Sequence, residues 1–195
     1  MNSLLYITVG LIIIGMLTLM LVQMDSTVKI HSTFMVHAMA NNGNLNVISR
    51  IMEFDLRKIG HGLRAPLRAI HIADSARILF SYDQKPFSLF DSIRVDYQLS
   101  DNTVTPNPRD KLLTRTVNGN SQTRISMGVT RMRFRYYNQA GTELAVPVVA
   151  DSLLKIKSIR LLLAIQNTEA VQNKYVTAYY SSQISPKNLL VRYGR

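Results

Sequence analysis

From Leu4 to Val22 the chain reads "LLYITVGLIIIGMLTLMLV", without a charged side chain. As a helix this run spans roughly 29 Å, about the hydrocarbon thickness of a bilayer. Backbone polar groups inside lipid must be satisfied within the segment, which predicts a helix. The expected lipid-facing side chains are Leu4, Leu5, Val9, Leu11, Ile12, Ile13, Ile14, Leu17, Leu19 and Leu21. A cleaved secretory signal has a basic start, a shorter apolar core and a small-residue cleavage site. Here Asn2 and Ser3 carry no charge, and Gln23, Met24 and Asp25 follow the run. Residues 1–24 are therefore read as a retained membrane anchor. Lys29 is the first basic side chain. Charge alone does not orient the anchor, because long domains translocate largely regardless of flanking charge.

Residues 25–62 are read as a helical extension of the anchor. Val28, Phe34, Met35, Ala38 and Met39 fit a continuing helix. "NNGN" at 41–44 is a breaker signal, either a turn or a weakened stretch of one long helix. Helical spacing resumes with Val47, Ile48, Ile51, Met52, Asp55, Leu56 and Ile59, a stripe in which only Asp55 is polar. Glu53 and Arg57 stand at i,i+4 in the favourable order. Gly60 and Gly62 mark the end of the helix. One continuous helix from Ser3 to Ile59 is roughly 85 Å long and must bury its far half against something.

Residues 63–195 supply that partner. "ARILFSY" (76–82) and "SIRVDYQLS" (92–100) read as strands, the second with Ile93, Val95, Tyr97 and Leu99 on one face. "LLTRTV" leads into Asn118-Gly119, a type I′ hairpin signal. In "VTRMRFRYY" the apolar Met132, Phe134 and Tyr136 alternate with Arg131, Arg133 and Arg135. "NQAG" (138–141) is a turn. "IKSIRLLLAI" (156–165) and "KYVTAYYSSQIS" (174–185) complete the strands. One amphipathic helix followed by hairpin-linked strands predicts an α+β fold, with an antiparallel sheet packed on the second half of the helix.

Three stretches carry a resemblance to a known family. "VGLIIIGMLTLM" (9–20) is similar to the apolar helix that opens mature type IV pilins. "IMEFDLRKIGHGL" (51–63) resembles the helix end of the larger minor pilins and the type II secretion minor pseudopilins. "SSQISPKNLL" (181–190) resembles their final strand and its ending. The resemblance covers nearly the whole chain and rests on the order of these stretches. It implies a non-catalytic subunit of a type IV pilus-like or type II secretion-like machine. Such a subunit sits in the inner membrane with its domain periplasmic or extracellular. It packs against other pilin-like subunits through its helix. The family's basic leader does not precede the run, and Leu5 and Tyr6 flank the position where its members carry a glutamate. Three readings follow: a tip or initiation subunit, a mature form, or a pilin-derived anchor that does not polymerise.

The chain's 23 basic and 12 acidic residues give a formal charge of +11. A basic balance favours nucleic acid, anionic lipid or an acidic protein. Two clusters stand out: Arg57, Lys58, Arg64 and Arg68 near the helix end, and Arg131, Arg133 and Arg135 on one strand with Tyr137 beside them. Each is either a partner or polyanion contact or an ordinary solvated surface. The second grounds an alternative reading, a membrane-tethered binding module for DNA during uptake. His31, His37, His61 and His71 lack metal-ligand spacing, and Glu53 and Asp55 point to different helix faces. Asp55 is expected to cap or to pair with Arg57 or Arg64. Without cysteine there is no disulfide and no thiolate metal site. No enzyme activity, cofactor, metal or small-molecule substrate is expected.

Overall fold

The computed structural model describes residues 2–63, 68–83, 92–101, 105–125 and 127–190. The fold is α+β. Helix α1, Asn2–Arg57, is unbroken over its 56 residues. At the rise of an α-helix this is a rod about 84 Å long. It is followed by β1 (Ile70–Ala73), β2 (Arg77–Asp83), β3 (Ser92–Ser100), β4 (Leu112–Val117), β5 (Ser121–Ile125) and β6 (Val129–Tyr137). A short 3-10 helix (Ala150–Lys155), β7 (Ser158–Gln166), β8 (Thr177–Ile184) and the single turn α2 (Lys187–Leu190) complete it.

The strands form two antiparallel sheets rather than one. The first is a meander ordered β1-β2-β3-β4-β5, and the second is ordered β6-β7-β8. Backbone bonds stitch them together. The Phe134 N–H donates to Ser75 O at 2.8 Å, and the Val148 N–H to Ala73 O at 2.8 Å. Asn118 and Gly119 both have positive φ, and the Asn120 N–H reaches Val117 O at 3.2 Å, as the hairpin signal requires. Met132, Phe134 and Tyr136 on β6, and Ile159, Leu161, Leu163 and Ile165 on β7, point into one core shared by both sheets.

The far half of α1 lies against β7 and β8. Its buried stripe is Leu45, Ile48, Met52 and Leu56, continued by Ile59 past the helix end. Val47 and Ile51, expected in that stripe, are 50% and 43% exposed. They sit about 100° round the helix from the buried row. The "NNGN" signal does not interrupt α1. Asn41 is buried and its Nδ2 donates to Val176 O at 2.8 Å, so a tertiary bond holds the helix where local propensity is weakest. Beyond Arg57, Gly60 (φ +74°) lets the chain turn, and its N–H donates to Ser81 O at 3.0 Å.

Candidate functional site

The near half of α1 is exposed along its length, and no sheet among the described residues covers it. Val9, Leu11, Ile12, Ile13, Ile14, Leu17, Leu19 and Leu21 are all exposed, Leu11 by 64%. The side chains of Leu4 and Leu5 lie outside the described residues. Thr18 Oγ1 donates to Ile14 O at 2.8 Å. That hydroxyl is thus satisfied within the helix. This is the one helix among the described residues long and apolar enough to cross a membrane. An exposed apolar surface of this extent marks a site of contact with lipid or protein. The uncovered apolar surface does not stop at residue 24. Val28, Met35, Val36, Met39, Val47, Ile51 and Phe54 carry it along α1 to the domain.

At the junction of helix and sheets, two polar contacts replace apolar packing. Asp55, 3% exposed, accepts from the Tyr97 hydroxyl at 2.7 Å and from Arg115 Nε at 2.8 Å. Its ion-pair partner is therefore Arg115 on β4. Of the expected partners, Arg57 instead approaches Glu53 at 3.7 Å, and Arg64 lies outside the described residues. Burial, reinforced by the Asp55 charge, pushes the Tyr97 phenol far above its usual pKa, so it stays a proton donor. Two residues earlier and on another face of the helix, Glu53 accepts from the Tyr180 hydroxyl of β8. Hydrogen bonds from Ser182 and Tyr180 hold the Glu53 carboxyl below its usual pKa, with burial opposing and Arg57 assisting.

Of the basic residues expected at the helix end, Arg64 lies outside the described residues and the other three have different surroundings. Arg57 is engaged by Glu53, and Arg68 is exposed. Lys58 Nζ lies 3.8 Å from the centre of the Phe54 ring and 5.2 Å from that of Tyr82. Its charge is thus directed at two aromatic faces. Phe54, Arg57, Lys58, His61, Tyr82 and Asp83 line an open groove of about 350 Å³.

The second basic cluster does form a surface. Alternation along β6 buries Met132, Phe134 and Tyr136 and leaves Arg131, Arg133 and Arg135 exposed on the outer face of β6-β7-β8. Strand register extends that face sideways. Arg131 is followed across the sheet by Ala164 and Tyr179, Arg133 by Leu162 and Ser181, and Arg135 by Arg160 and Gln183. The small residues leave a trough of about 650 Å³, to which Arg109 and Lys111 also contribute. It continues into a recess of about 300 Å³ bounded by Arg133, Arg135, Leu162 and Ser181. Two exposed carboxylates approach the rim: Glu143 lies 3.6 Å from Arg135, and Asp101 lies 2.6 Å from Lys111.

The aromatic available on this face differs from the expected one. Tyr137 lies beneath Arg160, whose guanidinium carbon is 5.6 Å from the ring centre. Tyr179, 76% exposed, borders the trough instead. Sequence reasoning missed it because its neighbourhood is set by pairing between β7 and β8.

Among the described residues no three His, Asp or Glu side chains converge as a metal site would require. His71 Nε2 and Ser81 Oγ are 2.7 Å apart. Burial, and then the charges of Arg94 and Arg68, hold this imidazole below its usual pKa. The chain matches no protein-family model, no curated protein and no solved structure.

Proposed function

We propose that the chain is a non-catalytic, pilin-like subunit of a type IV pilus-like or type II secretion-like machine. It is held in the inner membrane by the near half of α1, with its sheets on the periplasmic or outer side. The observation that carries this reading is the division of labour within one unbroken helix. Residues 6–24 expose apolar side chains throughout, whereas residues 45–56 bury a stripe against an antiparallel sheet. A simple tether has no need for rigid continuity between its anchor and its domain. A subunit that packs side by side with others does, because the helix then fixes the domain at a set height and rotation. The exposed row Val47, Ile51 and Phe54 supports the same reading, since it offers apolar surface to a neighbouring helix outside the bilayer.

The test is crosslinking in cells of the native host, starting from a chain that has no cysteine. Val47→Cys and Ile51→Cys should crosslink, through a short bis-maleimide, to a cysteine placed on the equivalent helix row of a pilin-like subunit. Thr123→Cys, on the distant β4–β5 hairpin, should not. Crosslinks that are absent from the helix row, or equally frequent at Thr123, would remove the assembly reading and leave a membrane-tethered domain.

A further inference from the structure

We infer that the outer face of β6-β7-β8 is a binding trough for single-stranded nucleic acid. This goes beyond the subunit reading and does not depend on it, since none of the residues involved lies on α1.

Charge comes first. Arg131 and Arg133 project from the face, and no ion pair among the described residues engages either one. Arg109 joins them at one end of the trough, and Arg135 extends the row at the other. The trough therefore carries several arginines along its length, and among the described residues the exposed Glu143 and Asp101 pair with Arg135 and Lys111 at its rim.

Spacing comes second. Alternate residues of an antiparallel strand repeat at about 7 Å, so the three arginines leave the backbone of β6 at that pitch on one face. The phosphates of an extended single strand repeat at a similar pitch, so one strand lying along β6 meets an arginine at each phosphate. Guanidinium groups suit this task because they present planar, forked donors to phosphate oxygens.

Width and aromatic placement decide between one strand and two. From β6 to β8 the sheet measures about 10 Å, two strand spacings. That accepts a single sugar–phosphate chain with its bases laid across the sheet, and is too narrow to seat a duplex. Tyr179 stands on β8, across Ala164 from Arg131. A base attached to a phosphate held at Arg131 crosses the low floor at Ala164 and reaches the exposed phenol ring. Stacking on such a ring tolerates any base, because every base has a π face. An acidic protein segment would use the arginines equally well but gives no role to an exposed tyrosine at this position.

The experiment uses the full chain in nanodiscs of zwitterionic lipid and a fluorescein-labelled oligothymidylate, read by anisotropy across a salt series. Binding should weaken with a log–log salt slope of about −2, for three phosphate contacts at about 0.7 each. The double variant Arg131→Gln/Arg133→Gln should lose at least tenfold in affinity and flatten the slope. Tyr179→Ala should lose on the order of tenfold at unchanged slope, and Tyr179→Phe should be restored. Arg94→Gln and Arg124→Gln, exposed positions on the other sheet, should bind as the parent does, and an unchanged melting curve confirms the fold of each variant. Three results would overturn the assignment. One is affinity indifferent to substitution of Arg131, Arg133 and Tyr179. Another is tighter binding of duplex than of single strand, with no effect at Tyr179. The third is polyglutamate binding as tightly as the oligonucleotide, which would reassign the trough to an acidic protein partner.

Discussion

Tyr97 and Asp55, 42 positions apart in sequence, meet at 2.7 Å and join the end of α1 to the centre of the first sheet. Arg115 closes the arrangement, with Nε 2.8 Å from Asp55 Oδ2 and 3.2 Å from the Tyr97 oxygen. The helix is packed mainly on β7 and β8, so this triad is its principal polar link to the other sheet. A buried carboxylate deprived of its cation is costly, whereas removing the whole polar set need not be.

Arg115→Met is accordingly expected to destabilise the domain by about 3 kcal/mol, because Asp55 is left buried with one donor. Tyr97→Phe should cost less, about 1–2 kcal/mol, since Arg115 remains. Urea denaturation followed by circular dichroism measures both. A loss for Arg115→Met no greater than that for an exposed arginine such as Arg124→Met would show that the triad contributes little.

Gly128 provides a second, backbone-level constraint. Its φ is +72°, and a β-carbon there would lie 2.0 Å from the Gln166 carbonyl oxygen. The Gln166 N–H in turn donates to Gly128 O at 2.8 Å, so the two backbones are fixed at close range. Gly128→Ala should destabilise by well over the ~1 kcal/mol that strained φ alone imposes. Gly141→Ala is the control. Its φ of +78° carries the same conformational strain, but the space around it is open. Equal losses in thermal denaturation for the two would contradict the close approach.

Much of this architecture was legible in the sequence, and the pattern of success has a physical reason. The alternation of Met132, Phe134 and Tyr136 with arginines, and the Asn118-Gly119 turn, are local signals, and the structure follows them. The division into two sheets was not legible, because β5 and β6 are adjacent in sequence and only non-local bonds place them in different sheets. Two details of α1 are decided by contacts that sequence spacing does not reveal, one choosing between the two readings of "NNGN" and one correcting the expected stripe. Asn41 is held by Val176, 135 residues away, so "NNGN" does not break the helix. Val47 and Ile51 are apolar at plausible spacing, yet the sheet covers the neighbouring row of Leu45, Ile48 and Met52. The Asp55–Arg115 pair left a usable trace. Asp55 is the lone charge in an apolar helix row, and Arg115 occupies the inward alternation between Leu113 and Val117. Two opposite charges that each break an apolar pattern are natural partners.

The Glu53 carboxyl gives a pH dependence with a definite sign. Its folded pKa lies below the reference value of 4.5, first through the Ser182 and Tyr180 hydrogen bonds. A depressed carboxylate pKa means that the unfolded chain takes up a proton before the folded chain does. The stability it supplies is therefore complete above 4.5 and drains away as the pH falls through the folded value. Melting temperatures recorded from pH 7 to pH 3 should fall less steeply at the acid end for Glu53→Gln than for the parent. His71 acts in a separate window. Its pKa is depressed from 6.5, chiefly by burial, so stability begins to fall below 6.5, where the unfolded imidazole protonates first. Parallel acid limbs for parent and Glu53→Gln would mean that the helix–β8 contact has no electrostatic role.

The proposed anchoring role of residues 4–22 can be tested apart from the domain. Leu11 and Ile14 are exposed on the part of α1 that no described sheet covers, close to the middle of the apolar run. An arginine at either site places a charge near the bilayer centre, at a cost of about 2.5–3.5 kcal/mol on the insertion scale. Neither substitution touches the core, so the sheets should keep the parent melting temperature while the chain shifts from the membrane to the soluble fraction. The double variant Leu11→Arg/Ile14→Arg should shift further, because snorkelling toward an interface relieves one such charge more readily than two. Carbonate-washed membranes probed by immunoblot measure the partition. Full retention of the double variant would show that residues 4–22 do not hold the chain in the bilayer, and that their exposed apolar surface is covered by protein instead.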